Sequence, residues 1–244
     1  MKTSSSWTFR PRIVTTALAV AFCALSIALG NWQLRRAAEK ESAQAQREMQ
    51  ASQAPVLLPG RPIDAAAWAW RRVEVRGQLV GRRTILVDNR TRAGRPGYEV
   101  VTPVRITGTD MHVLVNRGWI AQGPTRDALP SLHTPEGPIR VLGIAVVPPR
   151  RVFELGDSAP AGPVWQHLDL ARFHAWSGLA LQPIVVLQTS KLDGELQDDR
   201  LLRQWPREES GAAKHRAYAL QWYIFGLLTV ILYVALNLKR ARSS

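Results

Sequence analysis

Two long uncharged runs dominate this sequence of 244 residues. Residues 13–34 and residues 217–238 contain no Asp, Glu, Lys, Arg or His, and each run is 22 residues long. As an α-helix rising about 1.5 Å per residue, such a run reaches roughly 33 Å, which is enough to cross the hydrocarbon core of a bilayer. The runs exclude an ordinary soluble protein and predict two transmembrane helices with the lipid bilayer as a partner.

The two runs divide the chain into a short tail, a span, a large domain, a second span and a second short tail. The predicted boundaries are 1–12, 13–34, 35–216, 217–238 and 239–244. All 19 acidic residues lie in the central part, whereas both tails are basic. Because short tails obey the positive-inside rule better than loops longer than about 60 residues, we expect both termini in the cytoplasm and the domain outside it.

The first run also resembles a signal sequence. Trp32 and Gln33 stand where a cleavage site would need small residues, so we expect an uncleaved anchor. The short basic N-terminus lacks the Arg- and Ser-rich character of a long transit peptide. We therefore expect a bacterial inner-membrane protein whose central domain is periplasmic.

The central domain is predicted to be α+β with a β-rich core. Helix formers without Gly or Pro continue from Arg35 to about Gln53 and predict a polar stalk on the first membrane helix. Beyond Trp70, short β-like runs punctuated by Gly and Pro predict an antiparallel sheet, curled or closed into a small barrel or sandwich. The expected strands are Arg72 to Leu79, Thr84 to Asp88, Tyr98 to Ile106, Val113 to Trp119, Ile139 to Val147, Val164 to Leu168 and Ile184 to Gln188. Helical patches are expected from Leu170 to Ser177 and near 199–205.

Several function classes find little support in the residues. The net charge of +13 comes from scattered basic residues without a dense block, so nucleic acid is not an expected partner. Cys23 is the only cysteine, which excludes C-x-x-C carriers, and no glycine fingerprint joins a strand to a helix. An enzyme is not expected. A hydrolase rests only on Gly156-Asp157-Ser158 and stays a minor alternative.

His215 is the most informative of the five histidines. At helical spacing it shares a face with Tyr218, Trp222 and Phe225 or Gly226, where the second span begins. One interpretation is an aromatic belt at the level of the lipid headgroups. The other is an axial ligand of haem iron above an aromatic-lined slot. The residues alone favour the belt.

Four segments resemble the Surfeit locus protein 1 family, the cytochrome c oxidase assembly factors. Leu29-Gly-Asn-Trp32-Gln33-Leu34-Arg35-Arg36 is similar to its L-G-x-W-Q-L-x-R signature, and Gly94-Arg-Pro-Gly97-Tyr-Glu-Val-Val-Thr102-Pro103 to its G-x-x-G-x-x-x-x-T-P segment. Leu114-Val115-Asn116-Arg117-Gly118-Trp119 resembles its L-V-N-R-G-W core, and His215 through Trp222 its H-x-x-Y-A-x-Q-W entry to the second span.

The resemblance implies a function that the residues alone do not. It implies assistance in maturing the catalytic subunit of a haem-copper oxidase, with transient binding of haem a. His215 would then be the iron ligand, and Tyr218 and Trp222 would form the wall of the slot. Oxidase subunit I is the expected partner, and haem a synthase is a second candidate.

Two alternatives remain open at this stage. The chain could hold an oxidase assembly intermediate as a scaffold or chaperone without a cofactor. Arg117 could meet haem propionates or an acidic patch on the oxidase, because Arg grips carboxylates bidentately. The alternative for Arg117 is a purely structural role, in a strand that ends at a glycine turn.

Overall fold

A computed structural model describes residues 7–9, 11–123, 128–148, 162–190, 200–205 and 211–240. The chain divides into two compact units, residues 1–46 with 207–244 and residues 47–206. The elements in chain order are β1 (Trp7–Phe9), α1 (Ile13–Ser52), β2 (Val56–Leu57), α2 (Ala65–Trp68), β3 (Arg72–Leu79), β4 (Ile85–Arg92), β5 (Arg95–Ile106), β6 (Met111–Ala121), β7 (Pro138–Val146), β8 (Val164–Trp165), α3 (Leu170–Ser177), β9 (Ala180–Gln188), α4 (Ala212–Asn237) and β10 (Leu238–Arg240).

The first unit contains α4 and the part of α1 up to Gln46. By length and composition both α1 and α4 could cross a membrane, and few residues of their apolar segments are buried. A core helix of a soluble protein would be mostly buried, so this exposure indicates membrane anchoring. The helix predicted for the first span continues without a break through the predicted stalk and ends at Ser52. The short strands β1 and β10 pair antiparallel, with Trp7 opposite Arg240.

The second unit is built around a closed barrel. Its five strands follow one another in the order β3, β7, β9, β6 and β5, and β5 pairs again with β3. Neighbours are antiparallel except β6 and β9, which are parallel. Strands β4 and β8 extend the sheet beyond β5, and β2 adds to β3. The prediction of a β-rich domain curled or closed into a barrel is therefore confirmed, although the sheet is mixed rather than purely antiparallel.

Closure of the barrel depends on one glycine in β3. Gly77 pairs with Ile139 of β7 on one side and with Ile106 of β5 on the other. A Cβ atom at this position would collide with the backbone carbonyl oxygen of Arg105. A residue without a side chain is therefore needed where β5 approaches β3 to close the ring.

Alternating residues of the strands fill the barrel. Val73 and Val75 of β3 face inward with Val113 and Val115 of β6, and all four are fully buried. This is the period of two expected for strands with one face in a core. A second cluster on the outer face packs Phe173 of α3 against the sheet.

Helix α3 has the boundaries predicted for it because both of its ends carry capping residues. The side chain of Asp169 accepts a hydrogen bond from the backbone N–H of Arg172 at the N-terminus. Gly178 adopts the left-handed conformation with φ of 71° at the C-terminus.

The helical patch expected near 199–205 is wrong for its described residues. Residues 200–205 are not helical, and Leu202 forms a β-bridge with Trp119. Two backbone hydrogen bonds, from Trp119 N to Leu202 O and from Leu202 N to Trp119 O, satisfy this segment instead. A neighbouring strand edge therefore overrides the local helix preference.

Strands β3 and β7 carry a charged cluster on their outer face. The register places Arg76 directly opposite Arg140, a like-charged pair that is unfavourable by itself. The carboxylate of Glu74 bridges both, with Arg140 Nη2 at 2.8 Å from Glu74 Oε2. These hydrogen bonds, that from Arg140 first, lower the pKa of Glu74 below its ordinary value.

Candidate functional site

The two long helices pack antiparallel through small residues. Ser26, Gly30 and Ala37 are the buried residues of α1, and Ala219 and Gly226 are buried on α4. The residues on α4 are seven apart, which is the spacing of a seam between two helices wound around each other. Helices in lipid associate by close packing of small residues because burial from water gives no driving force there.

Polar side chains add hydrogen bonds along this seam. The pairs run in opposite directions along the two helices, as expected for an antiparallel arrangement. They are Thr16 with Tyr233 (2.6 Å), Asn31 with Tyr223 (2.7 Å), Gln33 with His215 (2.7 Å) and Glu41 with Arg216 (2.9 Å).

His215 lies in the first turn of α4, which begins after Gly211. Gly211 is the N-cap residue and adopts a left-handed conformation with φ of 65°. The imidazole is half-buried, and its Nδ1 lies 2.7 Å from Oε1 of Gln33. An amide oxygen only accepts hydrogen bonds, so Nδ1 is the donor of this hydrogen bond, and in the neutral ring Nε2 then keeps its lone pair. The geometry therefore leaves one ring nitrogen of His215 able to bind a metal ion.

The aromatic residues predicted to share the face of His215 occupy different environments. Tyr218 is 54 % exposed, whereas Trp222 is half-buried beside the seam. The rings of Trp222 and Phe225 are in edge-to-face contact, with centroids 5.8 Å apart. His215, Trp222 and Gly226 thus follow the seam, and Tyr218 lies outside it.

Charged residues surround His215 at the level where the apolar segment begins. Lys214 and Arg216 are its neighbours in the chain, and both are exposed. Arg216 Nη2 contacts Glu41 Oε2 on the facing helix at 2.9 Å. The partly buried imidazole thus lies between an exposed, cationic end and an apolar, aromatic surface of the same helix.

Arg117 lies in the second unit and has a different character. It is 1 % exposed, and its guanidinium donates to the backbone oxygen of His133 at 2.9 Å and to the Thr134 hydroxyl at 3.5 Å. This placement ties strand β6 to the segment before β7 and favours the structural interpretation. A role toward a propionate or an acidic partner stays a prediction.

The neighbours of Arg117 form a second polar network. Asn116 Nδ2 donates to Glu99 Oε2 at 3.0 Å, and the indole N–H of Trp119 donates to the backbone oxygen of Arg90 at 2.7 Å. Arg90 and Arg92 each lie 3.5 Å from the Glu99 carboxylate. The L-V-N-R-G-W segment therefore builds the sheet domain, with its side chains bonded to strands β4 and β5.

The remaining candidates contribute no metal site within the described residues. No group of three or more His, Cys, Asp or Glu side chains is arranged to hold a metal ion in that part of the chain. The ring Nδ1 of His174 is bonded to the backbone oxygen of Leu179 at 2.7 Å, and His112 is buried in the sheet domain. Gly156-Asp157-Ser158, the basis of the hydrolase alternative, lies outside the described residues.

Gln33 is a site residue that the sequence does not predict. It lies in a motif that resembles the family signature, but its hydrogen bond with His215, 182 positions later, does not follow from the motif. The available signal is the presence of two amides, Asn31 and Gln33, near the end of the first uncharged run. Polar residues at membrane depth generally face a partner rather than lipid, and both of these do so.

Sequence comparison relates this chain to several named proteins. A SURF1-like protein of Monosiga brevicollis is 27 % identical over 232 residues, which cover 90 % of this chain and 86 % of that protein. A SURF1-like protein of Drosophila melanogaster is 28 % identical over 179 residues, covering 64 % of this chain and 57 % of the fly protein. The cytochrome oxidase assembly protein SHY1 of Saccharomyces cerevisiae is 28 % identical over 164 residues, covering 64 % of this chain and 42 % of the yeast protein. The chain thus spans about half the length of the fly and yeast relatives.

The model of the SURF1 family matches residues 20–227. The match extends from the first membrane helix through the barrel into α4, and it includes both Gln33 and His215. Because it covers most of the sequence, this chain belongs to the SURF1 family.

Proposed function

We propose that this protein is an assembly factor for cytochrome oxidase that holds haem a through His215 and presents it to oxidase subunit I. The observation that carries the proposal is the half-buried imidazole of His215, whose Nδ1 is bonded to Gln33 and whose Nε2 makes no hydrogen bond to the described residues. Support for the assembly role comes from membership of the SURF1 family and from the name of the yeast relative.

The side chains near His215 suit the chemistry of a haem. Imidazole is a common axial ligand of haem iron, and the cationic Lys214 and Arg216 would face the propionates. The apolar side chains of α4 beyond Trp222 would lie against the macrocycle and its hydrocarbon tail. Haem is the cargo here, so the chain itself only binds, orients and releases it. The yeast relative is named for assembly, which supports a role without catalysis.

The site would lie at the outer surface of the membrane. Both tails would be cytoplasmic and the barrel domain periplasmic, because short basic tails stay on the cytoplasmic side. This arrangement would put His215 at the entrance of α4 to the bilayer. Haem a synthase would then be a suitable donor, and oxidase subunit I the acceptor.

The proposal is tested by the optical spectrum of the protein purified from cells that make haem a. We expect a Soret band of haem a in the wild type. Trp222→Ala should weaken the band more than Tyr218→Phe, since the former removes a ring beside the seam and the latter only an exposed hydroxyl.

A second readout separates haem handling from a scaffold. Cells lacking the protein should accumulate subunit I with less haem a, and the wild-type chain should restore it. Copurification with an oxidase intermediate while the wild type shows no haem band would contradict haem delivery and support the cofactor-free scaffold.

A further inference from the structure

We infer that Gln33 is a positioning residue that holds His215 in the tautomer protonated at Nδ1 and thereby assigns Nε2 as the nitrogen that binds haem iron. The second half of this inference rests on the proposed function. The first half concerns the protein alone and can be tested without haem.

The geometry gives the hydrogen bond its direction. Oε1 of Gln33 lies 2.7 Å from Nδ1 of His215, within the usual range of a hydrogen bond. A neutral imidazole has one N–H, and the amide oxygen can only accept it. The proton is therefore on Nδ1, and the lone pair is on Nε2.

Packing around the pair fixes the amide in place. Gln33 projects from α1 between Gly30 and Ala37, both of which are buried, and Gly30 lies against the ring of Tyr223 on α4. His215 precedes Ala219, which is 1 % exposed, by one turn of α4. Buried small residues thus flank the hydrogen bond on both helices, and the approach of the helices sets the orientation of the imidazole ring.

The chemical nature of the acceptor sets the strength of the ligand. A hydrogen-bond acceptor at the second ring nitrogen raises the basicity of a metal-binding imidazole. A carboxylate would do so more strongly than a neutral amide. The carboxylate of Glu41 is paired with Arg216 at 2.9 Å, and the acceptor for the imidazole N–H is the neutral amide of Gln33. A neutral partner suits a carrier because the haem must later leave His215.

A matched pair of variants isolates this effect. Gln33→Leu removes the acceptor of His215, whereas Asn31→Leu removes another amide on the same helix, whose partner is the Tyr223 hydroxyl at 2.7 Å. Both delete one hydrogen bond across the helices, so a general loss of packing would affect them alike.

The first measurement is ¹⁵N NMR of histidine-labelled protein in detergent without haem, with His215→Ala used to assign the signal. We expect the Nδ1–H tautomer in the wild type and in Asn31→Leu, and a shift toward the Nε2–H tautomer in Gln33→Leu. An Nε2–H tautomer in the wild type, or a tautomer unchanged by Gln33→Leu, would overturn the inference.

The second measurement uses protein titrated with haem a. Gln33→Leu should lower haem affinity on the order of 10-fold to 100-fold and raise the reduction potential, and Asn31→Leu should change neither. Gln33→Glu should keep the Nδ1–H tautomer and lower the potential, which provides a test if Gln33→Leu does not accumulate. An unchanged potential in Gln33→Glu would overturn the ligand assignment.

The two measurements also separate this inference from the proposed function. If the wild-type protein binds no haem a, but the tautomer still changes between the wild type and Gln33→Leu, the proposed function is overturned and the hydrogen-bond assignment stands.

Discussion

Replacing Gly30 by alanine should loosen the helix pair that carries His215. A Cβ atom at residue 30 would lie 2.6 Å from Cε1 and 2.8 Å from Cζ of Tyr223. Carbon atoms in good contact are about 3.5–4.0 Å apart, so the ring or the helix must move by about 1 Å. The movement would also break the hydrogen bond from the Tyr223 hydroxyl to Asn31.

The magnitude follows from two contributions. Overpacking costs about 1–3 kcal/mol, and the loss of a hydrogen bond between membrane helices adds about 0.6 kcal/mol. Gly30→Ala should therefore destabilise the helix pair by about 1.6–3.6 kcal/mol. Gly226→Ala is the matched control because its Cβ would meet the nearest atom, Ser26 Cβ, at an ordinary 3.5 Å.

The assay is the labelling rate of Cys23, the only cysteine of the chain. Its thiol is half-buried on the seam, and Sγ lies 3.6 Å from the backbone oxygen of Gly226. Labelling by a membrane-permeant maleimide therefore reports opening of the helix pair. We expect Gly30→Ala to accelerate labelling about 14-fold to 370-fold, since each 1.4 kcal/mol is tenfold. Equal acceleration by Gly226→Ala, or none by Gly30→Ala, would refute the packing argument.

Three further predictions concern the barrel domain and the topology. Phe173→Ala, which empties a fully buried position, should destabilise the barrel domain by about 3–5 kcal/mol, as measured by denaturant unfolding followed by tryptophan fluorescence. The hydrogen bond from Arg140 lowers the pKa of Glu74 in the folded state. The ionised carboxylate therefore stabilises the fold at pH values above its ordinary pKa of 4.5, and this stabilisation is lost as the pH falls through the lower pKa of the folded state. The stability difference between the wild type and Glu74→Gln should accordingly shrink below pH 4.5 in thermal unfolding, and a difference independent of pH would contradict the assignment. Reporters active only in the periplasm should be active when fused near residue 130 and inactive at residue 244, and the opposite pattern would reverse the orientation.

Local features of the fold could be predicted from the sequence, whereas distant pairings could not. Strand β3 has its predicted limits because Val73 and Val75 alternate with polar residues, and α3 because both of its ends carry capping residues. The closure of the barrel at Gly77 depends on a second pairing with β5, and no local pattern specifies it. The helix expected near 199–205 is wrong for the same reason, since the partner of Leu202 is a strand that lies far away in the sequence.

The candidate site shows the same division. The position of His215 at the start of a span is predictable from the sequence, because charged and aromatic residues mark the boundary of the apolar run. The hydrogen bond between His215 and Gln33 is not predictable from the sequence, since it joins two helices that are separated in the sequence by the whole barrel domain. The exposure of Tyr218 was also missed, because helical periodicity gives a face but not the width of the seam.

The most direct test of the central claim is the haem a content of His215→Ala. The variant should insert and accumulate like the wild type, because a half-buried residue in the first turn of α4 contributes little to spanning the membrane. We predict that the Soret band of copurified haem a is lost or strongly shifted in this variant. An unchanged band in His215→Ala, beside a wild type that shows haem under the same conditions, would contradict the assignment of His215 as the ligand.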